Sequence, residues 1–548
     1  MTEALRKIPA EKVARALATV TTLLLVSLHV VFATHAGALW RDEVNSLEVA
    51  TMRTLSEMWA NLSFDSFPVL FFLLLRVVAG VPSVASDTEL RIFGFGIGLL
   101  LIGVLWLNAR WLGFGFPVLS LAVIGFNPMI IRYGDSIRAY GLGMVVMLFS
   151  LGAIWRLTEA YSRRRVAIAV VAALLSVHVL YFNATLLFAV CMGGVAVTVC
   201  ARKYAQATAI LAVGATAAVS LVPYWPVIQR VQSMNFMWKV DFNTSLLWRN
   251  LAHTLGSHSS LALWLCVAIF GAGLCGGIWT LLRKPSREDQ PACKSLLLFA
   301  VVTLLVGVVG YTIFLHALSY HTRPWYYVVI IAFAGMCLEM IFASLSKRRW
   351  LVLARSAFAL IFVGTVAYPT WETLGIRQTN IDRIALELER RAQAEDLIVI
   401  NTWNFGISFQ HYYHGAARFE TVPPVKDLRS HRVDLVKEQM MSPDPIASVL
   451  QQAQATLRAG RTVWLIGRLD FLEPGESPLS VPPGFDGPKG WVGGDFYKAW
   501  SEQLGSFFQQ NAINIVRAPR MKQPIMGYED LELNVIRGWR EEPLAALQ

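Results

Sequence analysis

Charged side chains are scarce in this 548-residue sequence. Asp, Glu, Lys and Arg make up 16% of it and apolar residues 55%, against roughly 25% charged in a soluble domain. A chain so poor in charge cannot cover its surface in water, which excludes an ordinary soluble globular protein. Cysteine is scarce as well. The six fall in apolar runs (Cys191, Cys200, Cys266, Cys275, Cys337) or in one inside loop (Cys293). No pair has metal-ligand spacing, so neither a disulfide framework nor a zinc site is expected. No evident G-x-G-x-x-G nucleotide loop and no P-loop is present, so a soluble nucleotide-sugar pocket is not expected. No internal repeat stands out. A contiguous basic face is missing too. The net charge of +11 lies largely in short clusters between apolar runs: Arg6/Lys7/Lys12/Arg15, Arg163–Arg165, Arg202-Lys203, Arg283/Lys284/Arg287 and Lys347–Arg349. Nucleic acid would need one continuous cationic surface with stacking aromatics, so no nucleic-acid partner is expected.

What the chain has instead is apolar length. Mean hydropathy is +0.50, and apolar runs lie near residues 16–39, 91–109, 115–131, 139–157, 166–182, 184–200, 207–227, 259–282, 295–315, 325–345 and 350–369. Eleven crossings from a cytoplasmic N-terminus place every basic cluster inside, as the positive-inside bias requires. The loops 40–90, 132–138, 228–258 and 316–324, and everything after about residue 370, then lie outside. The stretch Pro68–Gly80 is apolar but, at 13 residues, short of the roughly 20 that a span needs, so it reads as a helix lying in the interface. The basic first 15 residues have no small-residue cleavage site after the first apolar run, which predicts a retained anchor.

Past residue 370 the composition changes. Asp382–Glu395 reads as an amphipathic helix, Leu397–Asn401 as a buried strand, Ser448–Leu457 as a helix and Arg461–Ile466 as a strand, with a Pro- and Gly-rich loop over Pro474–Gly494. The predicted fold class is an α-helical polytopic membrane protein of about 11 spans, with interfacial helices in the first outer loop and a C-terminal extracytoplasmic α/β domain. The chain divides into residues 1–160, 161–370 and 371–548.

Ionisable residues near lipid are costly and point to function. The first outer loop carries Asp42, Glu43, Glu48, Glu57 and Asp65, the second Arg132, Tyr133, Asp135, Arg138 and Tyr140, and a later one His316, Tyr320, His321, Arg323, Tyr326 and Tyr327. Carboxylates and cations gathered at one membrane face suit a phosphate-activated substrate with a lipid tail. An Arg fork binds phosphate, a carboxylate removes a proton from an acceptor, and two acidic loops could hold a divalent ion, Mg or Mn. Structural readings stand beside these. Asp42 and Asp65 could cap the helices that follow them. Arg138, Tyr140 and the Arg323–Tyr327 run could be interface anchors, and Asp135 could pair with Arg132 or Arg138. Arg76 and Arg91 read as facing head groups, and the His411–His414 run as packing.

At these residues the chain resembles the C-type (GT-C) polyprenyl-phosphate-sugar-dependent glycosyltransferases, a superfamily that includes protein O-mannosyltransferases and the lipid A aminoarabinose transferase. Trp40-Arg41-Asp42-Glu43 is similar to that family's acidic pair after the first span. Asp65 to Arg76 resembles its Asp-x-His-Pro-Pro stretch, Glu89-Leu-Arg91 the start of its next helix, and Asn127-Pro128 to Tyr140 its second outer loop. Phe67 replaces the family's His, Val69 its second Pro, and the second-loop acid is displaced to Asp135 with Ser136 in its place. The resemblance covers residues 15–160; beyond it lie only the span count, the Arg323–Tyr327 run and the tail.

The resemblance implies catalysis by Asp42 with Glu43 beside it. Donor-phosphate and substrate binding would fall to Asp65, Arg132, Asp135, Arg138, Tyr140, His321 and Arg323, and a divalent metal would sit at Asp42 and Asp135. The expected activity is sugar transfer, with inversion, from a polyprenyl-phosphate donor to a lipid, glycan or protein acceptor at the outer face of a plasma or inner membrane. A transporter or flippase, which would place charge at mid-membrane, and a lipid-linked glycan polymerase are the alternatives.

Overall fold

The computed structural model describes residues 10–65, 67–80, 86–234, 243–255, 260–283, 291–319, 321–345, 349–473, 475–484, 493–520 and 522–542. Arg6, Lys7, Lys284, Arg287, Tyr320, Lys347, Arg348 and part of the 474–494 run lie outside the described residues.

The chain opens with α1 (Ala10–His35), followed by α2 (Arg41–Ala50), α3 (Leu55–Asn61) and α4 (Val69–Ala79) in the first loop, then α5 (Asp87–Trp111). Next come α6 (Pro128–Gly134), α7 (Ala139–Glu159), α8 (Arg163–Val179), α9 (Asn183–Cys200), α10 (Tyr204–Ser220), α11 (Trp225–Met234) and α12 (Thr244–Thr254). The helical part closes with α13 (Ser260–Leu282), α14 (Pro291–Leu318), α15 (Val328–Leu345) and α16 (Arg349–Leu374). Among the described residues nine helical segments are long and apolar enough to cross a membrane: α1, α5, α7, α9, α10 running on into α11, and α13 to α16.

Two of the eleven apolar runs take another form. The 115–131 run is broken into Val118–Ser120, Leu121–Gly125 and α6. The break follows from Asn127-Pro128: Asn127 Oδ1 accepts from the Met129 and Ile130 N–H groups at 2.9 and 3.1 Å and starts a new helix with Pro128 in its first turn. The 166–182 run becomes α8, which is 17 residues long and begins with Arg163–Arg165. Pro68–Gly80 forms the short helix α4, stopped by Gly80 in the left-handed region (φ 65°).

The bundle also holds an ion pair that the one-face reading of charge missed. Glu339 of α15 and Arg355 of α16 meet at 3.1 Å, both buried, and Glu339 Oε2 accepts from the Ser120 N–H at 2.7 Å. The carboxylate thereby caps the broken segment with the charge compensated inside the bundle.

The C-terminal domain comprises α17 (Ile381–Arg391), β1 (Leu397–Asn401), α18 (Phe405–Tyr412), β2 (Arg418–Val422), α19 (Val433–Met440), α20 (Ala447–Arg458), β3 (Val463–Gly467), α21 (Gly493–Asn511), β4 (Ala512–Arg517) and β5 (Leu533–Trp539). Its mixed sheet has the order β2-β1-β3-β5-β4, with β1 parallel to β2 and β3, and β5 antiparallel to β3 and β4. β1 and β3 are buried throughout, as strands covered on both faces must be. Alternate residues part company: Leu397, Val399 and Leu465 join the core that runs on into the bundle, while Ile398, Ile400 and Ile466 pack with α17 and Phe409.

The domain is docked by polar bonds. The Gln378 N–H donates to the Ala36 carbonyl at 2.9 Å. Tyr412 Oη accepts from the Leu39 N–H at 2.7 Å and donates to Asp87 at 2.9 Å. Arg429 meets Glu57 at 3.1 Å.

Candidate active site

The loops after α1 and α6 meet beneath the C-terminal domain around a cavity of about 260 Å³. Its floor comes from Arg41, Asp42, Ser63, Phe64, Asp65 and Phe67 of the first loop and from Arg138 and Tyr140 at the start of α7. A side wall carries His321, Arg323, Trp325 and Tyr326, and the roof carries Trp403, Asn404, His431, Val433 and Tyr528.

Asp42 and Glu43 are neighbours near the start of α2, and successive helical residues point about 100° apart. Glu43 points into the protein, fully buried. Its Oε1 accepts from Arg91 Nη1 at 2.6 Å and the Ile137 N–H at 2.9 Å, and its Oε2 from Arg91 Nη2 at 2.9 Å and the Trp40 N–H at 3.2 Å. That pair fastens α5 and the second loop to α2, and it places Arg91 inside rather than at the head groups. Arg76 likewise turns inward, donating to the Ala50 carbonyl at 2.9 Å.

Asp42 faces the cavity with 16% of its side chain exposed. Its partners stand off, Arg41 Nε at 3.5 Å and His431 Nε2 at 3.8 Å from Oδ1. Asp65 lines the same cavity but is committed. Arg138 pairs with its Oδ1, and Ser46 donates to its Oδ2 at 2.5 Å. Burial pushes the Asp65 carboxyl up to about 6 against the pull of Arg138 and Ser46. Arg138 also donates to the Asp42 carbonyl and to Ser46 Oγ, each at 2.8 Å, and lies 4.5 Å from the Phe67 ring centroid. Phe67 is thus a stacking plate for this guanidinium.

Arg132 and Asp135 lie elsewhere. Arg132 is buried away from the cavity, donating to the Thr373 and Ile376 carbonyls and to Gln378 Oε1 (3.3 Å), and so clasps the end of α16. Asp135 meets His29 of α1 at 2.6 Å, both buried, and does not line the cavity. The expected pairing of Asp42 with Asp135 around a metal is therefore not what the fold builds. Among the described residues no group of three or more His, Cys, Asp or Glu could hold a metal ion, and Asp42 is flanked by Arg41 and Arg138.

His321 and Arg323 are brought to the cavity as expected. Arg323 lies 5.9 Å from the Tyr528 ring centroid, and burial, with Arg323 and Arg249 nearby, keeps His321 below its ordinary pKa.

The roof was invisible in the sequence. Trp403 and Asn404 follow the carboxyl end of β1, the place where parallel strands commonly present ligand-binding loops, which is the one signal available. Glu529, buried behind the roof, accepts from the Arg41 N–H at 2.9 Å, and burial pushes its carboxyl up to about 7. His431 is pushed down to about 4 by burial, against the opposing influence of Asp42.

Fold and cavity together define a multi-pass membrane protein with a charged chamber roofed by an α/β domain. No family model matches the chain, and no curated protein matches it. Among solved structures it is similar to ArnT from Cupriavidus metallidurans bound to undecaprenyl phosphate, at 14% identity and a TM-score of 0.49, covering 81% of this chain and 92% of that one. The apo form of ArnT gives 16% and 0.48 over the same shares. The Archaeoglobus fulgidus oligosaccharyltransferase, tethered to an acceptor peptide with the NVT sequon, gives 10% and 0.45, covering 83% of this chain and 69% of that one.

Proposed function

We propose that this chain is an integral-membrane glycosyltransferase. It moves a sugar from a polyprenyl-phosphate donor to a lipid, glycan or protein acceptor at the extracytoplasmic face, with inversion and with Asp42 as base. The observation that carries this reading is the contrast between Asp42, which faces the chamber with its partners held off, and Glu43, Asp65 and Asp135, which are closed into short contacts. A carboxylate kept accessible among committed ones is available to take a proton.

Arg323 and His321 face the same chamber and suit a phosphate. Aromatic surfaces of Tyr140, Phe182, Trp325 and Trp403 suit a sugar ring. Beside the chamber lies an apolar groove of about 440 Å³ between α12, α13, α14 and α15, lined by residues such as Leu251, Phe270, Val308 and Ile331. Tyr311 of that groove donates to the carbonyl of Tyr326, which lines the chamber. A donor with its phosphate at Arg323 can therefore lay isoprene units along the groove.

In the reaction the acceptor oxygen or nitrogen bonds to the anomeric carbon as the bond from that carbon to the phosphate oxygen breaks. The electron pair leaves on the phosphate, and the acceptor proton passes to Asp42. Charge grows on the phosphate towards the transition state, so Arg323 stabilises that state more than the bound donor. The test is mass spectrometry of lipids and glycans from a deletion strain. It should show a missing sugar-sized group and accumulated polyprenyl-phosphate sugar, both reversed by the wild-type chain and not by Asp42→Asn. Normal lipids and glycans in the deletion strain would sink the reading.

A further inference from the structure

His431 sits about 390 residues from Asp42 in the chain and on a different domain, yet it is fitted to the same helix. Asp42 and Asn45 are three apart on α2 and share one face. Residue 431 uses both. Its backbone N–H donates to the buried Asn45 Oδ1 at 2.8 Å, and its ring Nε2 stands 3.8 Å from Asp42 Oδ1. Asn45 is itself held by the Phe64 carbonyl at 3.4 Å.

The loop carrying His431 is braced on both sides. Arg432 donates to Asp427 at 2.7 Å and to Asp434 at 2.8 and 2.9 Å, and it lies 5.3 Å from the Phe64 ring centroid. Arg429 bridges Asp427 and Glu57. Trp403 meets the imidazole edge-on at 6.2 Å between centroids. The ring is thus placed, not merely present.

We propose that His431 is a positioning residue for Asp42: as a neutral imidazole with its proton on Nε2, it holds Asp42 Oδ1 and leaves Oδ2 for the acceptor. This rests on the reading of Asp42 as base. The 3.8 Å separation is longer than a direct hydrogen bond and closes when substrate fills the chamber, as catalytic contacts commonly do. Charged groups facing the imidazole are Asp42 and Arg41 from α2 and Arg138 from the start of α7. The two guanidiniums oppose protonation, so the ring can donate without adding a third cation beside the base. A neutral donor favours the carboxylate form of Asp42.

The test uses membranes of the deletion strain, repopulated with full-length wild-type or variant chain and supplied with that strain's own lipid extract as donor. His431→Phe keeps a ring and loses the N–H. It should lower kcat roughly 10- to 100-fold, the range for a hydrogen bond to a charged group, move the acid limb of the pH profile upward, and leave the donor KM unchanged. His431→Gln keeps a neutral N–H and should restore most of the rate and the original acid limb.

A His431→Phe variant with wild-type kcat and pH profile would overturn the proposal, as would a His431→Gln variant impaired to the same degree. Thermal unfolding checks that the domain stays docked. If Phe disturbs it, His431→Met, which also lacks the donor, takes its place with the same expectations. Asp42→Asn is run alongside. Its inactivity beside an unimpaired His431→Phe overturns this proposal alone, whereas its activity overturns the base assignment and this proposal together.

Discussion

On the floor of the chamber Asp65 meets an arginine, and behind it Glu43 meets another and Asp135 meets His29, all at close range and out of water. At the roof, two titratable groups lack so close an opposite charge: His431 Nε2 lies 3.8 Å from Asp42, and Glu529 takes the Arg41 N–H at 2.9 Å while that residue's Nη1 stands 3.9 Å away. Buried charge on the floor is compensated in place, which fixes the geometry of two loops. Burial acts on both sides: it raises Asp65 against the opposing pull of Arg138, whereas at the roof it raises Glu529 and lowers His431 without a close ion pair set against it. Asp42 lies where the two regimes meet.

Four substitutions would break or sharpen that contrast. The largest effect is expected at the boundary: Asp42→Asn should lower sugar transfer by about 10³-fold, in the range of a lost general base, with expression and unfolding temperature unchanged. Transfer in repopulated membranes reads it. On the floor, Arg91→Ala leaves Glu43 buried without its cation and should cost about 3–5 kcal/mol of stability, seen as early thermal unfolding in detergent. A variant as stable as wild type would show that the Trp40 and Ile137 N–H groups suffice for Glu43.

At the side wall, Arg323→Ala should raise the donor concentration needed for half-maximal transfer by about 10- to 100-fold. An unchanged donor dependence would remove Arg323 as a phosphate ligand. The smallest effect belongs to the roof. Glu529 titrates near 7 when folded, above its unfolded value of 4.5. The unfolded chain therefore gives up its proton first as pH rises, and this contribution to stability, full below 4.5, is lost on the way through 7. Glu529→Gln should flatten the fall in unfolding temperature across that window.

Much of the architecture was readable because it depends on local runs. Leu397–Asn401 is a strand at the predicted residues, since five apolar or small side chains between charged segments suit a doubly covered strand. Among the described residues, nine of the predicted spans appear as long helices. The break at Asn127-Pro128 was printed in the sequence but outweighed by the apolar run around it. Of the residues singled out in the sequence, Asp42, Asp65, Arg138, Tyr140, His321 and Arg323 line the chamber, whereas Glu43, Arg132 and Asp135 do not, and the pairings were not foreseen. Asp65 takes Arg138, Glu43 takes Arg91, and Asp135 takes His29 from the first span. Pairing between helices depends on rotation about each axis, which spacing along one segment does not encode. The roof residues lie beyond any motif because docking of a whole domain brings them in.

The Arg132 clasp has a mechanical consequence. The guanidinium gripping the Thr373 and Ile376 carbonyls sits one short helix away from Arg138. The stem of the α/β domain is thereby riveted to the loop that holds the floor's arginine. A cover anchored so close to the chamber floor has little freedom to swing upward. On the proposed function, the lipid-tailed donor would then reach the chamber sideways, along the apolar groove between α12, α13, α14 and α15. Loosening this rivet should change how substrates arrive before it changes what is done to them.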